Sequence, residues 1–348
     1  MKKFQLGITT FAEVMPNPQT GKITTYDERI RQVVDEIKLA DEVGLDFFGV
    51  GEHHRKDFAA SAPHMILAAA APLTQKITLG SAVTVLSSDD PVRVYQHFAT
   101  LNALSNGRAE LMVGRGSFIE SFPLFGYDLH NYNQLFEEKL DLLLNIRDNE
   151  KISFKGLHRP SIEHLGIYPR TNHLAISIAV GGTPESVIRA AKKGLPLFLA
   201  IIGGMPRMFR GLIDLYKKTY IEAGHPLEHM HISVHSHGFI MEDFHKAFET
   251  YYPSMEQAMN IIGNERGWST YTKQTYAASN NLEGALFVGD PQYVAKKILY
   301  FKKILGIDRF TLHVPVGYLE HDLVMKSIEL LGTSVRDIID QELNQELK

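Results

Sequence analysis

Two pairs of histidines stand where an imidazole could do chemistry. His53 and His54 directly follow Glu52, and His235 and His237 are separated by one residue. An imidazole beside a carboxylate can act as a general acid–base, or as a metal ligand with an orienting partner. Since neighbouring side chains on an extended chain point to opposite sides, we expect one of the first pair to face a cavity. The second pair shares one strand face, which fits either a metal or packed, hydrogen-bonded rings.

A glycine-rich turn, Gly-Gly-Thr-Pro-Glu-Ser at residues 181–186, precedes a helical pattern. Thr183 fits the N-cap position, and the proline after it fits the first helical position. Glycines before a helix start let backbone N–H groups approach an anion, and Thr183 and Ser186 add hydroxyl donors. The turn therefore predicts a phosphate-binding cradle. A plain tight turn is the alternative, because Gly-Asp-Pro at residues 289–291 repeats the pattern before a later helix.

An arginine between two glycines supports the phosphate interpretation. Arg115 lies in the segment Gly-Arg-Gly-Ser-Phe at residues 114–118. A guanidinium at a strand end can hold a phosphate as a two-pronged donor, whereas a surface salt bridge is the alternative. Neighbouring strands would bring Arg115 beside residues 181–186, so the two motifs support each other.

These residues follow short apolar runs that alternate with helix-period segments. Such alternation predicts a parallel sheet with right-handed crossovers, and eight units fit a closed (β/α)8 barrel. An open doubly wound sheet with a small second domain is the competing architecture. The predicted strands are residues 4–9, 46–51, 77–86, 110–114, 175–180, 196–200, 231–240 and 309–314. A barrel places its active site at the carboxyl ends of its strands, which selects residues 9–11, 52–54, 84–86, 115–118, 181–186, 201–204 and 235–238.

Two stretches break the alternation and are predicted as insertions in one domain spanning residues 1–348. Residues 150–172 carry prolines and short β-like runs, which indicate an excursion or a hairpin. Residues 241–284 are polar and aromatic, and predict a long insertion with helical pieces. Trp268 and four tyrosines of this insertion could close over an apolar ligand or form its own core. His313, in the last strand, is predicted to be structural.

Composition excludes several classes of protein. The chain has 348 residues, 44% of them hydrophobic, a formal net charge of −4 and no cysteine. This is globular composition without disulfides, thiolate metal sites or a cysteine nucleophile. Mild acidity disfavours nucleic acid as a partner. No apolar run reaches the roughly 18 residues that span a membrane, and no signal peptide is visible, so we expect a cytoplasmic location.

Several motifs in a fixed order resemble one family, the bacterial luciferase-like, flavin-dependent monooxygenases. The motifs are Gly-Glu-His-His at 51–54, residues 79–86 with Pro-Val-Arg at 91–93, Leu-Ser-Asn-Gly-Arg at 104–108, Val-Gly-Arg-Gly at 113–116, residues 180–186 with Gly-Leu-Pro at 194–196, and Val-Gly-Asp-Pro at 288–291. The resemblance implies a (β/α)8 barrel with an insertion late in the chain.

The resemblance also implies a site for reduced FMN. The residues implied to hold its phosphate are Arg115, Gly182, Thr183 and Ser186. Ser117 and Phe118 would lie near the flavin ring. Ala82 and Val83 match a position where the family often has a non-prolyl cis peptide beneath the ring. His53 matches the family's catalytic histidine near the reactive centre of the flavin.

The implied reaction is oxygen activation on reduced flavin, as a C4a-peroxyflavin, followed by oxygen transfer to a small organic substrate. No dinucleotide fingerprint is visible, so a separate flavin reductase would supply the reduced FMN. Some relatives bind the deazaflavin F420 instead, and relatives commonly pair, so a homodimer is expected. Two other hypotheses remain: a metal-dependent barrel hydrolase that uses the two histidine pairs, and a non-catalytic flavin-binding protein.

Overall fold

Strands and helices alternate along the chain as the sequence pattern predicts. The computed structural model describes residues 3–116 and 118–345. The strands of this part of the chain are β1 (Gln5–Thr10), β2 (Phe47–Val50), β3 (Thr78–Ser81), β4 (Thr84–Val85), β5 (Ala109–Gly114), β6 (Lys151–Phe154), β7 (Ile162–Gly166), β8 (Ala175–Val180), β9 (Leu197–Ala200), β10 (Ile232–Ile240), β11 (Phe287–Gly289) and β12 (Arg309–His313). Eight of these described strands, β1, β2, β3, β5, β8, β9, β10 and β12, close into a parallel barrel. The predicted (β/α)8 barrel is confirmed.

Helices follow the barrel strands, and some of them start at a side-chain cap. In the same described ranges they are α1 (Tyr26–Glu42), α2 (Pro63–Ala70), α3 (Pro91–Leu104), α4 (Ser121–Leu124), α5 (Tyr132–Asp148), α6 (Pro184–Lys192), α7 (Arg210–Glu222), α8 (Phe244–Arg266), α9 (Lys273–Ser279), α10 (Pro291–Leu305), α11 (His321–Leu330) and α12 (Arg336–Gln345). The side chains of Thr25 before α1 and Asp290 before α10 each accept a backbone N–H, which fixes those helix starts. Among the described residues, no helix combines the length and apolar character needed to cross a membrane.

The lower end of the barrel interior holds a paired charge. Gln5 and Arg309 lie opposite each other on β1 and β12, and Thr9 and His313 lie opposite each other four residues further along. Arg309 donates to Glu110 Oε2 over 2.9 Å and to Gln5 Oε1 over 2.9 Å. A buried guanidinium needs such partners, because an unpaired buried charge is costly.

Above this layer the ring of Phe47 fills the barrel. It packs with Ala82, Met112 and Phe198. An added Cβ on Gly80 would lie 2.4 Å from an atom of that ring, so only glycine leaves room for it there. Ala82 and Phe198, which pack with this ring, also line the cavity at the strand ends, so open space begins just above the ring.

Both predicted insertions have defined structure. Residues 150–172 contain the antiparallel hairpin of β6 and β7. The sequence left an excursion or a hairpin open here, and the hairpin is what forms. Residues 241–284 contain α8 and α9. The helix α8 has 23 residues and continues through Pro253. A proline inside a helix costs about 3 kcal/mol. The buried face of this helix, which includes Tyr251 and Met255, offsets that cost by packing.

Two details of the strand prediction were wrong. Residues 77–86 were expected as one strand, but they form β3 and β4, which are interrupted at Ala82 and Val83. The peptide bond between these two residues is cis, as the resemblance implied. The three-residue strand β11, which pairs with β10, was not predicted because it is too short to show a period.

Candidate active site

A cavity of about 340 Å³, here called the mouth cavity, opens at the carboxyl ends of the barrel strands. Four residues predicted for the site line it: His53, Ala82, Val83 and Arg115. Parallel strands in a closed barrel end on one face, so side chains far apart in the sequence meet there. The prediction that these four residues belong to one place is thus met by the geometry.

His53 stands in an aromatic environment. Its ring centroid lies 4.4 Å from that of Phe11, 4.5 Å from that of Phe58 and 5.2 Å from that of Phe118. Burial, together with the positive charges of nearby groups such as Arg55, lowers the pKa of His53 to about 3. The imidazole is therefore neutral at ordinary pH, with one ring nitrogen a hydrogen-bond donor and the other an acceptor.

His54 points away from the mouth cavity, as expected for the neighbour of His53 on an extended segment. Its Nε2 lies 2.8 Å from Glu52 Oε1, and it lines a separate pocket of about 100 Å³. The other oxygen of Glu52 accepts the backbone N–H of Val85 over 2.9 Å. Glu52 thus orients His54 and also holds the segment that follows the cis peptide.

The predicted phosphate cradle assembles from the ends of β5 and β8. Arg115 donates to Ser186 Oγ over 3.0 Å and to Asn133 Oδ1 over 2.7 Å. Thr183 donates to Ser186 Oγ over 2.8 Å, and a guanidinium nitrogen of Arg189 lies 3.4 Å from the same oxygen. Two guanidinium groups and two hydroxyls therefore converge at the first turn of α6. That donor set fits a phosphate dianion.

The start of α6 keeps its backbone donors free of a side-chain cap. Thr183 occupies the N-cap position, but its hydroxyl makes no cap hydrogen bond. Gly182 has φ of 121°, which favours glycine, and an added Cβ on Gly181 would meet nothing within 4 Å. The turn therefore leaves room and unpaired N–H groups at a positive helix end, which fits an anion.

The other end of the mouth cavity opens towards a second cavity of about 310 Å³, here called the apolar chamber. Apolar side chains from distant segments dominate its wall, among them Met15, Phe58, Phe118, Ile262 and Trp268. The wall residues Phe11, Ile202 and His237 line both cavities. The two cavities are therefore neighbours, and Phe118 belongs to the chamber wall.

The aromatic residues of the late insertion divide between the two predicted roles. Trp268 lines the apolar chamber. Tyr251 and Tyr276 are fully buried and belong to the hydrophobic core around α8 and α9. These two tyrosines thus belong to the insertion's own core, whereas Trp268 faces a cavity.

A cluster of charged side chains borders the chamber beside Phe118. The guanidinium of Arg55 lies 4.6 Å from the ring centroid of Phe118, and that of Arg266 lies 4.8 Å from it. Arg55 also donates to Glu120 over 2.5 Å, to Glu265 over 2.7 Å and to Asp57. Three separate chain segments meet at this one side chain.

The strand histidines form a hydrogen-bonded group. Thr9 Oγ1 lies 2.9 Å from His235 Nδ1 and 3.2 Å from His313 Nδ1, and His313 Nε2 lies 2.9 Å from Glu13 Oε1. His235 and His237 share one face of β10, as predicted. Across the described ranges, no group of three or more histidines, aspartates or glutamates has an arrangement that could hold a metal ion.

The predicted and the observed site residues differ in a few places. Ser117, which the resemblance implies near the flavin ring, lies outside the described residues. Two residues of the site were not predicted: Tyr132, whose hydroxyl donates to Gly116 O over 2.9 Å, and Asn133, the partner of Arg115. Both begin α5, and no spacing rule connects them to a strand end. Thr9 was within the strand-end selection, so that signal could have identified it.

Comparison with known proteins now assigns the family. A model of the luciferase-like monooxygenase family matches residues 4–309, and the chain belongs to that family. The N-acetyl-S-alkylcysteine monooxygenase of Bacillus subtilis is 32% identical over 184 residues, which cover 52% of this chain and 53% of that protein. The alkanal monooxygenase alpha chain of the Kryptophanaron alfredi symbiont is 26% identical over 213 residues, 58% of this chain and 57% of that one. The chain thus matches little more than half the length of these relatives.

Solved structures share the fold over nearly the whole chain. Monooxygenase RslO1 from Streptomyces bottropensis has a TM-score of 0.81 at 20% identity and covers 96% of this chain and 99% of its own. The oxygenating constituent of 3,6-diketocamphane monooxygenase from Pseudomonas putida, in complex with FMN, scores 0.77 at 17% identity, with 97% and 98% covered. The F420-dependent tetrahydromethanopterin reductase of Methanopyrus kandleri scores 0.72 at 18% identity, with 97% and 99% covered. Flavin and deazaflavin enzymes therefore both occur among proteins with this fold.

Proposed function

We propose that this protein is a flavin-dependent monooxygenase that uses reduced FMN from a separate reductase, together with O2, to oxygenate a small organic substrate. One observation carries the proposal. The mouth cavity has a cradle suited to phosphate at one end and the apolar chamber at the other. His53 lines the mouth cavity and contacts Phe58 and Phe118 of the chamber wall.

The cradle would bind the FMN phosphate. Arg115, Ser186 and the uncapped N-terminus of α6 supply donors there, and Gly182 keeps the backbone open. Ala82 and Val83 line the same cavity and would lie against the flavin ring. The bound reduced flavin supplies the reactivity towards oxygen, while the protein binds, orients and shields it.

His53 would hydrogen-bond to a reacting group beside the flavin. Its low pKa keeps the imidazole neutral and weakly basic, so the ring presents one N–H donor and one acceptor nitrogen. The N–H can stabilise negative charge that develops in the reaction. The surrounding rings of Phe11, Phe58 and Phe118 limit access of water to that N–H. Exclusion of water protects a reactive flavin from side reactions.

The test combines cofactor binding with turnover. Purified protein is titrated with reduced FMN and, separately, with reduced F420 without oxygen, and substrate-coupled oxygen uptake is then measured with each. FMN is expected to bind and support uptake, whereas tight F420 binding alone would favour the deazaflavin alternative. If neither binds below millimolar concentration, the proposal fails.

His53→Ala separates an enzyme from a binding protein. We expect loss of oxygen transfer with FMN affinity nearly unchanged, because the ring does not belong to the cradle. Loss of one preorganised hydrogen-bond donor to a developing charge typically costs about 10²- to 10³-fold in rate. The variant His54→Ala is the matched control, since His54 lines the separate pocket. Full turnover by His53→Ala would contradict the assigned role, and a wild-type protein that binds FMN without turning over any substrate would favour the non-catalytic alternative.

We also propose a homodimer. The helices α2 and α3 pack against each other and expose Met65 and Leu104. Burial of such side chains in a symmetric contact would stabilise a pair. Light scattering at several protein concentrations tests this, and a monomer throughout would refute it.

A further inference from the structure

His237 is the polar residue at the junction of the two cavities. Among the described wall residues, Phe11, Ile202 and His237 line both the mouth cavity and the apolar chamber. The side chains of Phe11 and Ile202 are hydrocarbon, so only His237 has polar side-chain atoms. A substrate that reaches from the chamber to the flavin must therefore pass the imidazole of His237.

The two nitrogens of His237 are in different surroundings. Nδ1 is fully buried and has no hydrogen-bond partner in the described structure. The adjacent imidazole of His313 has both nitrogens engaged, with Thr9 and with Glu13. A buried N–H without an acceptor costs about 1–3 kcal/mol, which favours the tautomer with its proton on Nε2. Because His237 lines both cavities and its Nδ1 is buried, the Nε2 edge is the one that can reach them, and in this tautomer Nε2 is a hydrogen-bond donor.

The charge of this ring limits what it can hold. Burial, together with the nearby His313, lowers the pKa of His237 to about 3, so the ring stays neutral. The carboxyl group of Glu13 lies in the chamber wall and binds His313 Nε2 at 2.9 Å. The guanidinium of the chamber wall, that of Arg266, lies beside Phe118. An anionic group at His237 would therefore meet the carboxyl of Glu13, whereas an uncharged oxygen there would meet a hydrogen-bond donor.

We propose that Nε2 of His237 donates a hydrogen bond to an uncharged oxygen of the substrate, so that the site selects apolar molecules with a carbonyl or similar acceptor at the reacting end. This inference rests on the proposed function, because it places that oxygen beside the flavin. The chamber volume of about 310 Å³ sets the size of the apolar part. At about 30 Å³ for each water-sized group, it holds about ten non-hydrogen atoms.

Trp268 gives a direct measurement. It is the one tryptophan of the sequence and lines the apolar chamber, so its fluorescence reports ligand in the chamber with or without flavin. The probes are 2-nonanone, decane and nonanoate, which are similar in length and differ in the head group. Affinities are measured for the wild type, His237→Leu and His237→Gln, each with its FMN affinity measured in the same samples.

We expect His237→Leu to weaken 2-nonanone about 5- to 10-fold, the loss of one hydrogen bond, and to leave decane unchanged or tighter. His237→Gln retains a donor and should recover most of the ketone affinity, which a merely structural role would not produce. Nonanoate should bind more weakly than 2-nonanone to the wild type.

Two results would overturn the proposal. One is equal ketone affinity in the wild type and His237→Leu. The other is tightest binding of nonanoate that is lost in Arg266→Gln, which would assign substrate recognition to a carboxylate at the chamber border. Failure of FMN to bind would refute the proposed function separately, because the tryptophan signal does not require flavin.

Discussion

Two helices of this barrel begin with nearly the same residues and differ in how the start is satisfied. Before α10, Asp290 follows a glycine and precedes a proline, and its carboxylate accepts the backbone N–H of Tyr293 over 2.8 Å. Before α6, Thr183 has the same neighbours but makes no cap hydrogen bond. Its hydroxyl turns to Ser186 instead.

The difference separates a helix start that stabilises the fold from one that is open to a ligand. At α10 the carboxylate of Asp290 accepts a backbone N–H, and its negative charge would repel an anion at that helix start. At α6 the donors stay open and Arg115 stands beside them. The same local pattern thus gives a capped helix start in one place and an uncapped start beside Arg115 in the other. Three substitutions test whether the uncapped start binds the phosphate of FMN.

Removal of the guanidinium at the open start should have the largest effect. Arg115→Ala is expected to weaken FMN binding by about 10- to 100-fold, the value of a charged hydrogen bond to phosphate. Isothermal titration with FMN measures it. Arg147→Ala is the control, because Arg147 pairs with Asp148 at the exposed end of α5. Equal FMN affinity in the wild type and Arg115→Ala would remove the cradle assignment.

A carboxylate at the open start should make it resemble the closed one. Thr183→Asp is expected to cap α6 and to weaken FMN about tenfold, because a like charge about 4 Å from the phosphate costs about 1 kcal/mol or more. Thr183→Asn adds a cap without charge and separates the two effects. FMN affinity as high in Thr183→Asp as in the wild type would mean that the phosphate lies elsewhere.

Removal of the cap at the closed start should affect only stability. Asp290→Ala is expected to lower the free energy of unfolding by about 1 kcal/mol and to leave FMN affinity unchanged. Urea denaturation and the same titration measure both quantities. A loss of FMN affinity comparable to that of Arg115→Ala would show that the two helix starts are not functionally distinct.

The sequence predicts those features that depend on residues close together along the chain. Alternation of strands and helices predicts the barrel, and strand ends then locate His53, Arg115 and residues 181–186 on one face. The contact between Arg115 and Ser186 follows from the pairing of β5 with β8. Each step needs only local periodicity and the geometry of a closed sheet.

The apolar chamber could not be predicted in this way. Its wall combines Met15, Phe58, Ile262 and Trp268, which belong to four separate loops or helices. No periodicity relates such residues, because their contact depends on the path of α8 across the barrel. The length of α8 was also not predicted, because Pro253 lies inside it and a proline normally ends or breaks a helix.

The group around Thr9 shows an intermediate case. The strand-end rule selects Thr9, and the two-residue spacing places His235 and His237 on one face. Neither rule says that the Thr9 hydroxyl joins His235 to His313, because that contact requires the register of β1, β10 and β12 together. Register between distant strands depends on the closed barrel and not on any one of them.

Arg55 links three segments at the border of the apolar chamber. Its guanidinium is held at the same time by Asp57, by Glu120 after β5 and by Glu265 at the end of α8. Separation of any one of these three segments from the others breaks a charged contact with Arg55. Added salt, which screens such contacts, should then speed ligand exchange without altering the cavity itself.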